Sequence, residues 1–405
     1  MAKNLSIYTV IHQPQRVKLP AMDIPLETKL ADLKDYLFDD GMNRFYLEKV
    51  AGECYFPAIK MFRELVSKGF KISIGISVSF IEQAIWWNSS LVDELKSLIG
   101  HPNVELVCVE PYHSFIFYFD IDLFISQMEW AKNYLEKFFK KEIRVTDTTE
   151  MYMSNDVYFA LQKMGFEGAV MDGRQWVLEW REPTHIYHHE NQKMKLLARH
   201  LELSDDVGYR FSNRNWHGYP LKADDYAYWI NETRGEFVML GWDFETFGEH
   251  HKRDTGIFDF MEHLPQELEQ RNICMLNPGE LIDKFSKKSH AMRVKEFGAT
   301  WAGSGGMEFF LGNAAQQAIF RLMHHILNKA KLTGKKTLLD IAVKLTQSDN
   351  LHLIQWAGRS GAEAEVSAYF TPKEWWTLGP DRLLMEQQLV YINFLRFMDA
   401  HVGNR

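Results

Sequence analysis

The sequence repeats a unit in which an amphipathic helix ends at a glycine and a short apolar strand follows at once. The segments FRELVSKGFKISIGIS (62–77) and FALQKMGFEGAVMDG (159–173) share this pattern, with Gly69 and Gly165 at the expected helix ends. Alternating helices and short apolar strands are typical of a parallel sheet covered by helices. The pattern therefore restricts the fold to the α/β class.

Seven strands are expected, and so many units favour a barrel over an open sheet. They are predicted near residues 5–11, 72–77, 104–109, 143–147, 167–171, 236–242 and 273–276. The pattern weakens between about 175 and 235, which indicates an excursion of loop and helix over the barrel face. Beyond about 300, strand signals stop and apolar residues recur at helical spacing. We expect a catalytic barrel over 1–295 and a C-terminal helical region over 296–405.

Composition narrows the classes of function. The chain has 405 residues, 46% of them hydrophobic, and a formal net charge of −8. This charge argues against nucleic acid or an anionic membrane as the main partner, since both require concentrated Lys and Arg. The N-terminus lacks the features of a secretory signal, no apolar stretch is long enough to span a bilayer, and three scattered cysteines fit reduced thiols. We expect a soluble cytoplasmic protein, and the sequence does not predict its oligomeric state.

Polar side chains follow several of the predicted strands. His12 follows the first strand, His113 the third, Glu150 the fourth and Asp243 the sixth. Because the C-terminal ends of parallel barrel strands converge on one face, we expect these groups to meet there.

Glu150 and Asp243 suit the chemistry of glycoside hydrolysis, in which one carboxylate attacks the sugar and the other moves a proton. Glu150 lies among hydroxyl groups in VTDTTEMYMSND, which favours an ionised nucleophile. Asp243 lies between Trp242 and Phe244, and apolar neighbours raise the pKa of a carboxyl toward the range of a general acid. A helix cap or an arginine partner explains the same spacing, so these residues alone leave both interpretations open.

Five stretches of the chain, read together, resemble the signature regions of the alpha-amylases of glycoside hydrolase family 57. They are, in order, IHQP (11–14), VELVCVEPYHS (104–114), DTTEMYMSND (147–156), WDFETFGEH (242–250) and WAGSGGMEFFLGN (301–313). The resemblance implies an incomplete TIM-like barrel of seven parallel strands followed by helices. It also implies Glu150 as the nucleophile and Asp243 as the general acid/base of a retaining enzyme that acts on alpha-1,4-glucans or maltooligosaccharides without a metal or other cofactor.

The resemblance further implies that His12, Glu105 and His113 line the sugar site. Trp242 and Trp301 are added as substrate contacts, because tryptophan rings stack on the apolar faces of sugars; a core role is equally consistent with Trp301.

The fifth region departs from the family pattern. Many members carry acidic and basic residues after its Trp-Ala pair, whereas this chain has GSGGM at 303–307 and keeps LGN at 311–313. The substrate contacts in this region, and with them the preferred glucan, are left open.

Three other functions fit the same residues. A 4-alpha-glucanotransferase or a branching enzyme uses the same catalytic pair with a sugar as acceptor. A non-catalytic glucan-binding protein fits the same scaffold. A metal-dependent hydrolase is suggested by the pairs at 188–189 and 250–251 among 16 histidines, although no H-E-x-x-H pattern occurs.

Overall fold

Two five-stranded sheets form the framework of the protein. The structure, a computed structural model, describes residues 1–355 and 372–402. The strands are β1 (Asn4–Ile11), β2 (Ile72–Ile76), β3 (Val104–Val107), β4 (Val145–Thr146), β5 (Gly168–Asp172), β6 (Ile186–His189), β7 (Lys195–Arg199), β8 (Val238–Asp243), β9 (Cys274–Met275) and β10 (His290–Met292). The first sheet has the order β3-β2-β1-β8 with β9 paired to β1, and the second has the order β10-β6-β7-β5-β4.

The strands at the centre of the first sheet are buried on both faces. Every residue of β1 is buried, and its parallel partners are β2, where Tyr8 lies opposite Ser73, and β8, where Ile7 lies opposite Leu240. Strands covered on both sides read as continuous apolar runs, which is why the sequence predicted them well.

The helices lie between and after these strands. They are α1 (Lys34–Leu37), α2 (Asp40–Val50), α3 (Phe56–Ser67), α4 (Val78–Trp87), α5 (Ser89–Ile99), α6 (Ile121–Phe139), α7 (Asn155–Lys163), α8 (Gln175–Leu178), α9 (Leu201–Gly208), α10 (Ala223–Glu232), α11 (Ile257–Gln270), α12 (Pro278–Phe285), α13 (Glu308–Leu311), α14 (Ala314–Thr333), α15 (Lys336–Leu345), α16 (Asp349–Gln355), α17 (Lys373–Trp376) and α18 (Pro380–Val402). Past Met292 the described residues contain helices and no strand. None of the helices in the described ranges combines the length and the apolar character needed to cross a bilayer.

The excursion predicted over 175–235 contains two strands as well as helices. Strands β6 and β7 pair in antiparallel fashion, and β7 also pairs in parallel with β5. The polar stretch HHENQKM (188–194) directly precedes β7, and the apolar run LLA (196–198) within β7 is too short to be recognised as a strand from its pattern. The middle strand of the second sheet is therefore β7, which the sequence did not predict.

The strand predicted at 273–276 is present but peripheral. Only Cys274 and Met275 form β9, which pairs with Asn4 and Leu5, while the pairing of β1 with β2 begins at Tyr8. The strand thus lies beside the start of β1 and contributes little to the sheet.

The backbone connects the two sheets at two places. A parallel bridge joins Cys108, just after β3, to Thr146 in β4. On the other side, the amide of His200, just after β7, donates to the carbonyl oxygen of Met239 in β8 at 2.7 Å. These contacts bring the C-terminal ends of β4 and β8 to the same side of the protein.

The sheet interior tolerates no side chain at Gly75. A Cβ there would lie 2.5 Å from both the hydroxyl oxygen of Tyr8 and a methyl carbon of Val109. We predict that Gly75→Ala lowers the free energy of unfolding by about 1–3 kcal/mol, because overpacking forces buried neighbours apart. Urea unfolding measures this, with Gly52→Ala as the control, since nothing lies within 4 Å of the added carbon there. An equal effect of the two substitutions would contradict the tight packing at Gly75.

Candidate active site

Glu150 lies in a strained turn directly after β4. It is the central residue of the 3-10 turn Thr149–Met151 and has φ 59° and ψ 32°, a left-handed conformation that a residue with a side chain rarely adopts. Such a conformation costs of the order of 1–3 kcal/mol and persists only where the surroundings fix it. The amide of Trp301 donates to the carbonyl oxygen of Glu150 at 3.1 Å and supplies one such constraint.

Two distant residues donate hydrogen bonds to the carboxylate of Glu150. Trp301 Nε1 donates to Oε2 at 2.7 Å, and Ser348 Oγ donates to Oε1 at 3.2 Å. The hydroxyl groups nearby in sequence do not, because Thr148 donates to the carbonyl of Tyr152 and Thr149 to that of Ser114. The donors to Glu150 are therefore not the neighbouring hydroxyl groups that the sequence suggested; they lie in the fifth signature region and directly before α16.

Asp243 is the last residue of β8 and lies opposite Val10 of β1. Successive side chains of a strand point to opposite faces of the sheet. Asp243 lies on the partly exposed face, so Trp242 points into the core. Trp242 is only 1% exposed, and its Nε1 donates to the carbonyl of Ser204 at 2.9 Å. Trp242 is therefore a core residue and not the sugar contact that the sequence suggested.

The two carboxyl groups affect each other electrostatically. Burial raises the pKa of Glu150 to about 8, with the charges of Asp349 and Asp243 adding to the shift and the Trp301 hydrogen bond opposing it. Burial also raises the pKa of Asp243 to about 7, against the opposing charge of Arg199. Near neutral pH the pair therefore holds about one proton between the two groups.

His12 and His113 form a buried stack beside this pair. Their ring centroids are 4.0 Å apart and their planes differ by 6°. His12 Nδ1 lies 2.9 Å from Ser77 Oγ, and Nε2 lies 3.1 Å from Asp349 Oδ2. Burial and the neighbouring His12 lower the pKa of His113 well below its usual value, so this ring is neutral at physiological pH.

Glu105 lies at the other end of the sheet. It is the second residue of β3, opposite Ser73 near the start of β2, and its carboxylate accepts from the amide of Gly279 at 2.9 Å. This places it at the first turn of α12, where a carboxylate stabilises the helix. The structure does not bring Glu105 to the sugar site that the resemblance implied, because the signature stretch runs the whole length of the strand and Glu105 precedes its buried middle.

The sequence missed three charged or polar residues of the site. Ser348 and Asp349 follow α15 and carry no strand-end signal, and Arg199 ends β7, which the sequence did not predict. Arg199 donates to the carbonyl of Gly241 at 3.0 Å and lies 3.3 Å from the carboxylate of Asp172. Its guanidinium carbon lies 5.7 Å from the centroid of the Trp301 ring, so it connects β8 to the aromatic side of the site.

Most of the chain matches one known protein family. The sequence model of glycosyl hydrolase family 57 matches residues 7–294. The chain belongs to glycosyl hydrolase family 57. A relative in Methanocaldococcus jannaschii, named "Putative alpha-amylase", is 32% identical over 374 residues, which cover 89% of this chain and 78% of that protein. The protein is therefore a glycoside hydrolase, alpha-amylase-like in sequence.

Solved structures of family 57 enzymes share its fold. The 4-alpha-glucanotransferase from Thermococcus litoralis superposes with a TM-score of 0.65 at 13% identity, covering 96% of this chain and 60% of that one. The family 57 branching enzyme from Pyrococcus horikoshii gives 0.64 at 14% identity, covering 100% and 98%. The chain thus spans less than two thirds of the glucanotransferase and nearly all of the branching enzyme, and at these identities the likeness shows the fold alone.

The paired histidines of this family 57 chain lie in separate hydrogen-bonded settings. His189 Nε2 lies 2.6 Å from Asn155 Oδ1, and His251 lies 2.8 Å from Ser212 Oγ and 3.1 Å from the carbonyl of Gly208. Within residues 1–355 and 372–402, no group of three or more His, Cys, Asp or Glu side chains is arranged to hold a metal ion.

The raised pKa values predict how the activity of this glycoside hydrolase depends on pH. With Glu150 as nucleophile and Asp243 as acid, the roles that the resemblance implies, the nucleophile is protonated below about 7 and the acid is ionised above about 8. We therefore predict a narrow bell for kcat/KM, centred between these values. Steady-state rates from pH 5 to pH 10 measure it.

Ser348→Ala tests the cause of the alkaline limb. Removal of this donor leaves the ionised form of Glu150 with one hydrogen bond fewer, so the pKa of Glu150, the higher of the two, rises and the alkaline limb moves to higher pH. Ser126→Ala is the control, because this exposed hydroxyl donates to a carbonyl of its own helix. A limb that stays in place in Ser348→Ala means that the limb does not report Glu150.

Proposed function

We propose that this family 57 protein cleaves alpha-1,4-glucans with retention of configuration, with Glu150 as nucleophile and Asp243 as general acid/base. One observation carries the proposal: two carboxyl groups at the ends of β4 and β8 lie close enough for the charge of Asp243 to raise the pKa of Glu150. The names of the relatives, an alpha-amylase, a glucanotransferase and a branching enzyme, support an alpha-glucan as substrate.

The reaction proceeds in two steps. The carboxylate of Glu150 attacks the anomeric carbon while Asp243 donates its proton to the departing glycosidic oxygen, so that a glycosyl-enzyme forms and the leaving sugar departs as an alcohol. Asp243 then removes a proton from water, the water oxygen attacks the anomeric carbon, and the bond to Glu150 breaks. The products are two shorter glucans and the original enzyme.

The local hydrogen bonds support these two roles. Trp301 and Ser348 donate to Glu150, which stabilises the charged form that attacks. Asp243 accepts no hydrogen bond from the residues that the structure describes, so its carboxyl remains available to the glycosidic oxygen. In the empty site the pKa of Glu150 exceeds that of Asp243, and binding of the glycosidic oxygen at Asp243 is needed to place the shared proton there.

His12, His113 and Trp301 are the sugar contacts in this proposal. His113 Nε2 is buried and has no hydrogen-bond partner among the described residues, a state that a sugar hydroxyl would relieve. His12 is held between Ser77 and Asp349 and stacks on the ring of His113. Trp301 is half-buried, with its indole N–H fixed on Glu150.

We infer that the two sheets together form the incomplete seven-stranded barrel of the family. The order β1-β2-β3-β4-β5-β7-β8 follows from the strand pairs, the bridge between Cys108 and Thr146, and the hydrogen bond from His200 to Met239. We further propose a catalytic barrel over 1–295 and a helical region over 296–405. In the described ranges, this second region supplies Trp301, Ser348 and Asp349 to the site, so catalysis needs both.

Transfer to a second sugar is the main alternative. The same glycosyl-enzyme is resolved by a sugar hydroxyl instead of water in a 4-alpha-glucanotransferase or a branching enzyme. The fold likeness to enzymes with these two names favours this alternative over a non-catalytic binding protein or a metal-dependent hydrolase. A cytoplasmic location stays a prediction from the sequence.

We predict that the products of a single maltooligosaccharide decide between these functions. Maltoheptaose incubated with the protein in EDTA yields only shorter sugars if water is the acceptor, and longer sugars as well if a second glucan is. Proton NMR of the first products reports the anomeric configuration, which we expect to be alpha. A beta product would contradict the retaining mechanism, and loss of activity that zinc restores would favour metal-dependent hydrolysis.

Two substitutions separate the roles of the carboxyl groups. We predict that Glu150→Gln lowers kcat by at least about a thousandfold on all substrates, since the amide cannot form the glycosyl-enzyme. Asp243→Ala should spare the first step with an aryl glycoside far more than with glucan, because a good leaving group needs little protonation.

Asp172→Asn is a matched control for these changes, as Asp172 is a buried carboxylate paired with arginines Arg174 and Arg199 near the same strand ends. It should retain the selectivity between aryl glycoside and glucan that Asp243→Ala alters. Equal losses on the two substrates in Asp243→Ala would refute the acid role.

A further inference from the structure

Trp176 is a large apolar side chain held in an exposed position. It lies on the short helix α8, which follows β5, and is 45% exposed. Exposure alone does not mark Trp176 as a binding residue, because Trp130 is 41% exposed as well. Its function was not suggested by the sequence, because it lies outside all five signature stretches.

Trp176 is fixed to the glycine-rich loop of the fifth signature region. Its Nε1 donates to the carbonyl oxygen of Ser304 at 3.1 Å. Gly305 has φ 95°, and a Cβ there would lie 2.4 Å from Cδ of Arg174 and 3.1 Å from Nε1 of Trp176. Any other residue at 305 would therefore push Arg174 and Trp176 away, so the departure from the family pattern makes room for these two side chains.

The same loop connects Trp176 to the catalytic glutamate. Arg174 Nη2 donates to the carbonyl of Trp301 at 2.6 Å, and Arg174 Nε lies 2.7 Å from Asp172 Oδ2. Trp301 in turn donates to Glu150. Trp176 thus contacts the same loop as Trp301, the residue that donates to the proposed nucleophile. Its indole N–H is fixed by the hydrogen bond to Ser304, and its ring is partly exposed to solvent.

We propose that Trp176 is an outer sugar-binding platform, on which a glucose unit of the substrate stacks beyond the units held at Glu150. This inference rests on the proposed action on alpha-glucans. A tethered ring whose face is open binds the apolar face of a sugar at little entropic cost, because its rotamer is fixed before the sugar arrives. The ligand of Trp176 is the glucan chain in this proposal, because the loop that holds Trp176 also contains Trp301. A long glucan has to extend outward from the catalytic pair along this loop.

The test compares a long and a short substrate. With maltoheptaose, Trp176→Ala should lower kcat/KM by about tenfold, which corresponds to about 1.4 kcal/mol, mainly through KM, because the stacking surface is lost. With p-nitrophenyl maltoside, which is too short to reach an outer platform, the loss should be several-fold smaller. Trp176→Phe should recover part of the maltoheptaose activity, because the phenyl ring still stacks but is no longer fixed by the hydrogen bond to Ser304.

Trp130→Ala is the matched control. Trp130 is 41% exposed on α6 and stacks with Tyr112 and Tyr134, so its removal exposes a similar area without touching the glycine-rich loop. It should leave the ratio of kcat/KM for the two substrates unchanged. An equal loss on both substrates in Trp176→Ala, or none on maltoheptaose, would overturn the proposal.

A binding measurement distinguishes a failure of this inference from a failure of the proposed function. Isothermal titration of maltoheptaose into Glu150→Gln protein, with and without Trp176→Ala, needs no turnover. About tenfold weaker binding in the double variant supports the platform even if Glu150 proves not to be the nucleophile. Unchanged affinity in the double variant overturns the platform even if hydrolysis proceeds as proposed.

Discussion

The hydrogen bonds between Trp301 and Glu150 hold the site together. The backbone amide of Trp301 donates to the carbonyl of Glu150, and its indole donates to the carboxylate, so one residue fixes both the strained backbone and the side chain. Around them the segment before Trp301 runs antiparallel to the chain after Glu150, with Met153 and Ala299 exchanging two backbone hydrogen bonds. The left-handed turn at Glu150 is stable because the hydrogen bonds from the segment around Trp301 hold its backbone in this conformation.

The C-terminal helical part is joined to the site by a buried hydrogen bond between His12 Nε2 and Asp349 Oδ2, which are 3.1 Å apart. Although burial alone would raise it, the charge and hydrogen bond of His12 hold the pKa of Asp349 below its usual value. A buried charge without its partner costs several kcal/mol, so Asp349 and His12 together fix how α16 packs against β1. The amide of Ser348 donates to the carbonyl of His113 at 2.7 Å and secures the same contact. The attachment of this helix therefore depends on two of the histidines that are proposed to bind sugar.

Patterns within short stretches of the sequence predicted the strands and the carboxyl groups at their ends. They failed for residues whose position depends on contacts between distant parts of the chain. The apolar runs of β1, β2 and β8 are readable because burial on both faces leaves little choice of residue. Ser348 and Asp349 were not predictable, since nothing local shows that residues almost 200 positions beyond Glu150 return to it. Trp242 was a different error: strand alternation forbids adjacent residues from sharing a face, so an active Asp243 already required a buried Trp242.

The buried carboxyl groups of this protein differ in how well they are paired, and that difference marks the site. Glu110 accepts hydrogen bonds from the amides of Tyr112 and Ser114 and from the Ser114 hydroxyl, and Asp147 accepts one from Tyr8 at 2.7 Å. Both are therefore committed to the fold. Asp243, by contrast, has its pKa raised by burial yet accepts no hydrogen bond from any residue in the described ranges. Because Asp243 is only half-buried, its carboxyl stays accessible, and in the proposed function the glycosidic oxygen of a substrate is the partner that uses its proton.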